Sequence, residues 1–189
     1  MTITTLSPKR RNASRQRARA FTLVEVMIGA TLATIILAGT MTAFLFIGRS
    51  GANLRNYTDM ESQARKSLEI FAEDTRQASA VTWTSEDSVT LVVNSANVYY
   101  SYTSGSFTRT TGAETTALLT GITDFDFSAF DINGTVTALD TAAARSTANN
   151  VTKQVQISLS AARSTMTVTT ATNIVLSARY VLRNKKVTA

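Results

Sequence analysis

The sequence predicts an α+β protein, with one long N-terminal helix laid on antiparallel β-structure. Three observations carry that expectation. From Val26 to Gly48, 23 consecutive residues bear no charge, enough to cross a bilayer, which takes ~20. From Leu54 to Ala78, apolar residues recur every three or four positions, the spacing of one helix face. From residue 80 onward the texture changes to short Thr- and Val-rich segments broken by turn residues, which suits a sheet.

The helix is expected over residues 21–79, apolar all round in its first half and two-sided in its second. Within the apolar half, Gly29 with Ala33 and Gly39 with Ala43 form small-xxx-small pairs, which let helices approach closely in lipid; chance explains such pairs equally well. In the second half Leu54, Ala64, Leu68 and Phe71 are the expected contact face, and Arg55, Asp59, Arg65, Lys66, Glu69, Glu73 and Arg76 lie mainly on the other. Gly48, Ser50 and Gly51 mark its weakest point.

Strands are expected at 80–84, 88–93, 97–102, 106–110, 124–130, 135–138, 153–161, 166–171 and 174–182. Asp131-Ile132-Asn133-Gly134 is the clearest hairpin signal, because Asn-Gly readily adopts positive φ. Ser104-Gly105-Ser106 is a second turn. Alternation over Val155–Ser160 indicates one buried and one wet face. Leu118, Leu119 and Ile122 are expected to pack inward. Residues 140–150 have little to bury and read as a surface loop. The basic residues Arg183, Lys185 and Lys186 read as a solvated end.

Composition excludes much chemistry. The 189 residues include no cysteine and no histidine. Disulfides, thiolate nucleophiles, His-based triads and zinc sites of the usual kind are therefore ruled out. There is no P-loop and no Gly-rich dinucleotide fingerprint. No cofactor and no metal is expected. The net charge is +6, from 19 basic and 13 acidic side chains. Six of the basic residues, Lys9, Arg10, Arg11, Arg15, Arg17 and Arg19, precede residue 21 with no acid among them; taking six from 19 leaves 13, equal to the 13 acids. The basic cluster thus reads as a topology signal that stays in the cytoplasm and sends the C-terminal domain outward, more than as a nucleic-acid footprint.

One carboxylate, Glu25, stands at the head of the apolar run. An acidic residue at the centre of such a span costs roughly 2.5–3.5 kcal/mol, and less near an end, so its retention suggests a use. The stretch Ala20-Phe21-Thr22-Leu23-Val24-Glu25 resembles the cleavage and methylation site of type IV prepilins and pseudopilins. The resemblance implies that a prepilin peptidase cuts between Ala20 and Phe21 and methylates the new amine of Phe21. It also implies that Glu25 pairs with the N-terminal amine of a neighbouring subunit during assembly. The close match covers residues 9–50. The family usually has Gly before the cut, where this chain has Ala20.

The implied division is a basic leader at 1–20, a transmembrane and assembly helix at 21–48, an amphipathic helix at 49–79 and a β-rich domain at 80–189. The later segments Val98–Tyr102, Thr108–Thr110, Gly121–Phe127, Val155–Leu159 and Ser177–Asn184 resemble, more loosely, the minor pseudopilins of the J-type and PilW-like group. Such a protein is a structural subunit and not an enzyme. It is a single-pass protein of the bacterial inner membrane with a periplasmic domain, incorporated into a type II secretion pseudopilus or a type IV pilus. Its partners are other pilins or pseudopilins, the peptidase and an inner-membrane assembly platform.

Rival readings attach to the same residues. Ala18-Arg19-Ala20 has the form of a signal-peptidase site but precedes the apolar region, where that enzyme does not cut. A plain single-span anchor explains the flank and the run but not Glu25. Asp124, Asp126, Asp131 and Asp140 cluster in the β-rich part; oxygen ligands suit calcium, but a solvated strand edge is the simpler reading. Trp83, Tyr99, Tyr100 and Tyr102 offer aromatic surface for an adhesive or DNA-binding minor pilin, yet a single-strand binder needs a basic groove. Packing between sheet and helix is the expected use.

Overall fold

A computed structural model describes residues 21–165 and 168–187. The chain runs α1 (Leu23–Gln77), β1 (Ala80–Ser85), β2 (Ser88–Val93), β3 (Ala96–Thr103), β4 (Ser106–Thr111), β5 (Glu114–Thr120), β6 (Ile122–Phe130), β7 (Val136–Thr137), α2 (Ala142–Val151), β8 (Gln154–Thr165) and β9 (Val168–Val181). It divides into two compact units, Met1–Leu45 and Phe46–Ala189.

In the first unit every described residue is exposed. Its helix reaches a mean hydropathy of 2.0 over 18 residues and is, by length and composition, able to cross a membrane. Its threonines do not oppose that. Thr31 donates to Met27 O, Thr34 to Thr31 O, Thr40 to Leu37 O and Thr42 to Ala38 O, at 2.8–2.9 Å. Each hydroxyl is thus satisfied by its own helix, as a lipid-facing polar group must be.

In the second unit the remainder of α1 lies on two antiparallel sheets, the α+β architecture that the sequence predicts. The first sheet is a meander in the order β1-β2-β3-β4-β5, the second has the order β7-β6-β8-β9. The helix buries Met60, Ala64, Ser67, Phe71, Ala72, Asp74 and Thr75, a three- and four-residue spacing. Phe71 is the hub. Its ring meets Tyr100 at 5.0 Å, Phe127 and Tyr180 at 5.8 Å and Phe107 at 6.1 Å. Edge-on aromatic pairs of this kind contribute about 0.5–1.5 kcal/mol beyond the area they bury. The expected contact face is corrected at one end. Leu54 is 67% exposed and burial begins at Met60, because the sheets reach no further along the helix.

Turns follow backbone demands. Asn94 (φ 50°) and Ser95 (φ 65°) join β2 to β3, and Ser104 (φ 49°) and Gly105 (φ 76°) join β3 to β4. Two-residue hairpins with both φ positive match the strand twist. The Asn-Gly signal works differently from expectation. Gly134 alone has positive φ, and its N–H reaches Asp131 O at 3.2 Å. The Asp131 carboxylate takes Thr135 N–H at 2.8 Å and holds the turn instead.

Three further expectations are corrected. Residues 140–150 are largely helix α2, not a loop. Thr141 caps it through Ala144 N–H at 3.1 Å, and its Ala-rich start is a strong helix former. Glu114–Thr120 forms β5, a strand not expected, although Leu119 and Ile122 do point inward. Residues 174–182 belong to a longer strand, β9, which pairs with β8 from Gln154↔Val181 to Thr165↔Val168. Residues 166 and 167 of the expected strand at 166–171 lie outside the described residues.

The basic C-terminus is corrected at one residue: Arg183 and Lys186 are exposed as expected, and Lys185 is not. Lys185 is 6% exposed. Its ammonium donates to the carbonyls of Asn149 (2.7 Å), Thr152 (2.9 Å) and Asn150 (3.1 Å) at the end of α2. Lys153 Nζ in turn donates to Lys185 O. A cation there complements the negative pole of the helix and satisfies its terminal carbonyls.

Candidate functional site: the N-terminal helix start

Thr22 and Glu25 build the start of α1. The Glu25 N–H donates to Thr22 Oγ1 at 3.2 Å. Glu25 Oε2 accepts from the Thr22 N–H at 2.9 Å and from its hydroxyl at 3.1 Å. This is a reciprocal capping box, the S/T-x-x-E pattern in which each side chain satisfies the other's backbone donor. It lies in plain view in Thr22-Leu23-Val24-Glu25, and reasoning from charge cost alone misses it. The carboxylate also lies in the first turn, where the helix dipole favours an anion. Oε1 of Glu25 accepts no hydrogen bond among the described residues.

The other predicted residues stand apart from this box. Phe21 is 84% exposed, directly before Thr22. Ala20 and the expected leader at 1–20 lie outside the described residues. A Cβ added at Gly29 or Gly39 would meet nothing within 4 Å, and Ala33 and Ala43 are exposed, so all four present open surface.

The aromatic group resolves into packing. Trp83 and Tyr100 are buried, and Tyr102 stacks on Phe125 at 4.7 Å. Tyr99, half-buried, is set on the opposite sheet face by strand alternation. The carboxylates of the β-rich part are dispersed. Asp126 accepts from Ser128, Asp131 from Thr135 and Asp140 from Thr141. Among the described residues no three acidic side chains converge on a metal-sized site.

Residues 15–41 match the family described as the prokaryotic N-terminal methylation motif. This is the signature of type IV pilins and pseudopilins, structural subunits that a prepilin peptidase processes. No curated protein matches the chain. The motif, the apolar helix that continues it and the helix packed on antiparallel sheets together fit a membrane-anchored, type IV pilin-like protein.

Proposed function

We propose that the chain is a minor pseudopilin or pilin subunit. It is cut between Ala20 and Phe21 and methylated on Phe21. It is then held in the bacterial inner membrane by the helix at 21–48, with the β-rich domain in the periplasm. From there it enters a short filament, or the tip of one, together with other pilin-like subunits and an assembly platform.

One observation carries the reading. The methylation motif runs directly into a helix whose most apolar 18 residues are wholly unburied by the chain itself. Such a surface requires lipid or the helices of neighbouring subunits, and Gly29, Ala33, Gly39 and Ala43 give it places of close approach. Glu25 fits a dual role. Oε2 caps its own helix, and Oε1 remains for the amine of another subunit.

The test is the N-terminus of the membrane-extracted protein, by intact mass and fragmentation, with and without the prepilin peptidase. A peptidase-dependent start at N-methyl-Phe21 is expected. An uncut chain, or a cut after the apolar run, overturns the reading.

A further inference from the structure

We propose that the free edge of β9, over Asn173–Val181, is a docking strand that receives an extended β-strand from the globular domain of a neighbouring pilin-like subunit. The proposal rests on the assembly reading above. Among the described residues β9 is the outer strand of its sheet and pairs only with β8. Its register runs without a shift from Gln154↔Val181 to Ala162↔Asn173. The N–H of Ala162, the β8 residue opposite Asn173, points away from β9 and donates to Gly121 O at 2.8 Å. In an antiparallel ladder that bond fixes the parity of the strand. The even-numbered residues from 174 to 180 turn their backbone groups toward β8. Asn173, Val175, Ser177, Arg179 and Val181 turn theirs outward.

The other sheet edges are protected in familiar ways. At β1 the Trp83 N–H is taken by Asn149 Oδ1 of α2 at 2.7 Å. β7 covers only Ala129 and Phe130 of β6, and the uncovered remainder of that edge carries the exposed charges of Asp124 and Asp126. β5 is seven residues long, begins with Glu114 and carries a register shift opposite Phe107 and Thr108. Over 173–181, β9 has no proline and one charge, Arg179. That guanidinium is folded away from the edge. It lies 3.5 Å from the centre of the Phe130 ring and donates to Gln156 Oε1 at 3.0 and 2.9 Å, so it spans β8 toward β6. Val175 is left 78% exposed on an edge that no charge guards.

A groove of about 620 Å³ runs between α1 and β9. Leu68 and Tyr180 give it apolar surface, and Arg65, Arg76, Glu69 and Glu73 balance in charge around it. Such a groove selects no net charge, and the strand beside it asks for extended backbone. The occupant is therefore an uncharged or charge-balanced β-strand, bound chiefly through main-chain hydrogen bonds. Five outward residues make a weak site for a freely diffusing partner. Subunits confined to one membrane meet at high effective concentration, which makes such a contact sufficient.

The experiment places a photo-crosslinking residue at position 175 of the full-length chain in its native cells, with position 136 on β7 as the control, and identifies adducts by mass spectrometry. Beside it, incorporation into filaments is compared for Val175→Pro and Val175→Thr. Proline removes the outward N–H without touching the β8 ladder. The proposal expects adducts at 175 to a strand of a pilin-like subunit, and a second copy of this chain counts as one. It expects Val175→Pro to lower incorporation about tenfold, the effect of one lost main-chain bond and the partner carbonyl left behind, while Val175→Thr incorporates normally. Should Val175→Pro fail to fold, the adducts decide alone. Equal adducts at 175 and 136, adducts to lipid only, or equal incorporation of a folded Val175→Pro and Val175→Thr overturn the proposal. If the chain is cut and incorporated while these results appear, the assembly reading survives. A chain neither cut nor incorporated overturns both.

Discussion

The Tyr100 hydroxyl donates to Asp74 Oδ2 at 2.6 Å, tying strand β3 to helix α1 inside the core. The same oxygen accepts from Arg109 Nε on β4 at 2.8 Å. Asp74 is a buried carboxylate satisfied by one phenol and one guanidinium. Burial, then the neighbouring Asp74, pushes the Tyr100 phenol well above its ordinary range. Tyr100→Phe keeps the ring packing but takes one donor from the carboxylate. It should destabilise the full-length chain in detergent by about 1.5–3 kcal/mol, the size of a hydrogen bond to a charged group, as read by urea melts. The sign with pH follows from linkage. The unfolded phenol loses its proton near pH 10, while the folded one keeps it. The contribution of this phenol to stability is therefore full below about pH 10 and falls above it. Tyr180 is raised in the same direction by burial, so Tyr100→Phe should flatten the alkaline loss without abolishing it.

Lys185 gives a second prediction. Its three carbonyl acceptors close the end of α2, so Lys185→Met leaves them without that donor. The expected cost is about 2 kcal/mol, with faster amide exchange over residues 142–152 than in the wild type. Burial, then the Lys153 ammonium, lowers the Lys185 amine to about 8 from 10.5. Between those values the unfolded chain holds the proton and the folded chain does not. This group's contribution to stability therefore rises over that window, and Lys185→Met should lose the rise. An unchanged pH profile in the variant would refute the assignment.

Thr75 offers a gain. Its hydroxyl is buried in α1 and has no hydrogen-bond partner among the described residues. A polar group desolvated without compensation costs about 1–3 kcal/mol. Thr75→Val keeps the shape and removes the orphan. It should raise the melting temperature by an amount equivalent to ~1 kcal/mol, whereas Thr75→Ala, which opens a cavity, should not.

Much of this was legible from local pattern. The apolar run, the facing residues from Met60 to Ala78 and the alternation over Val155–Ser160 each obey one periodicity, and each is found in place. What escaped has physical reasons. In α2 only Ala148 is buried, so no apolar period announces the helix; its signals are the Thr141 cap and the alanines. β5 alternates poorly, because Glu114, Thr115, Thr116 and Ala117 are all exposed on an edge. Leu54 fits the helical stripe well, but a sequence cannot tell where the covering sheets end. Lys185 is basic and near the terminus, and only the tertiary position of the α2 carbonyls makes it a buried donor. At the N-terminus the motif Phe21–Glu25 was plain, and the Thr22–Glu25 capping pattern inside it was equally legible, although the cost of the Glu25 charge points away from it.

That cap sets the sharpest prediction for assembly, because Glu25 has two separable properties. Its side-chain oxygen caps Thr22, and its negative charge is available to a partner amine. Glu25→Gln keeps an acceptor at the third helical position, where Gln also serves a capping box, and removes the charge. Glu25→Ala removes both. If charge recognition matters, both variants should insert into the membrane and both should fail to enter filaments. If only the cap matters, Glu25→Gln should assemble normally, and Thr22→Val should imitate Glu25→Ala, each losing about 0.5–2 kcal/mol of helix-start stability. The proposed pairing of Glu25 with a neighbouring amine predicts the first pattern. Quantifying each variant in membrane and filament fractions, after confirming the cut at Phe21 by mass, distinguishes them. Normal incorporation of Glu25→Gln would leave the capping box as the whole role of this carboxylate.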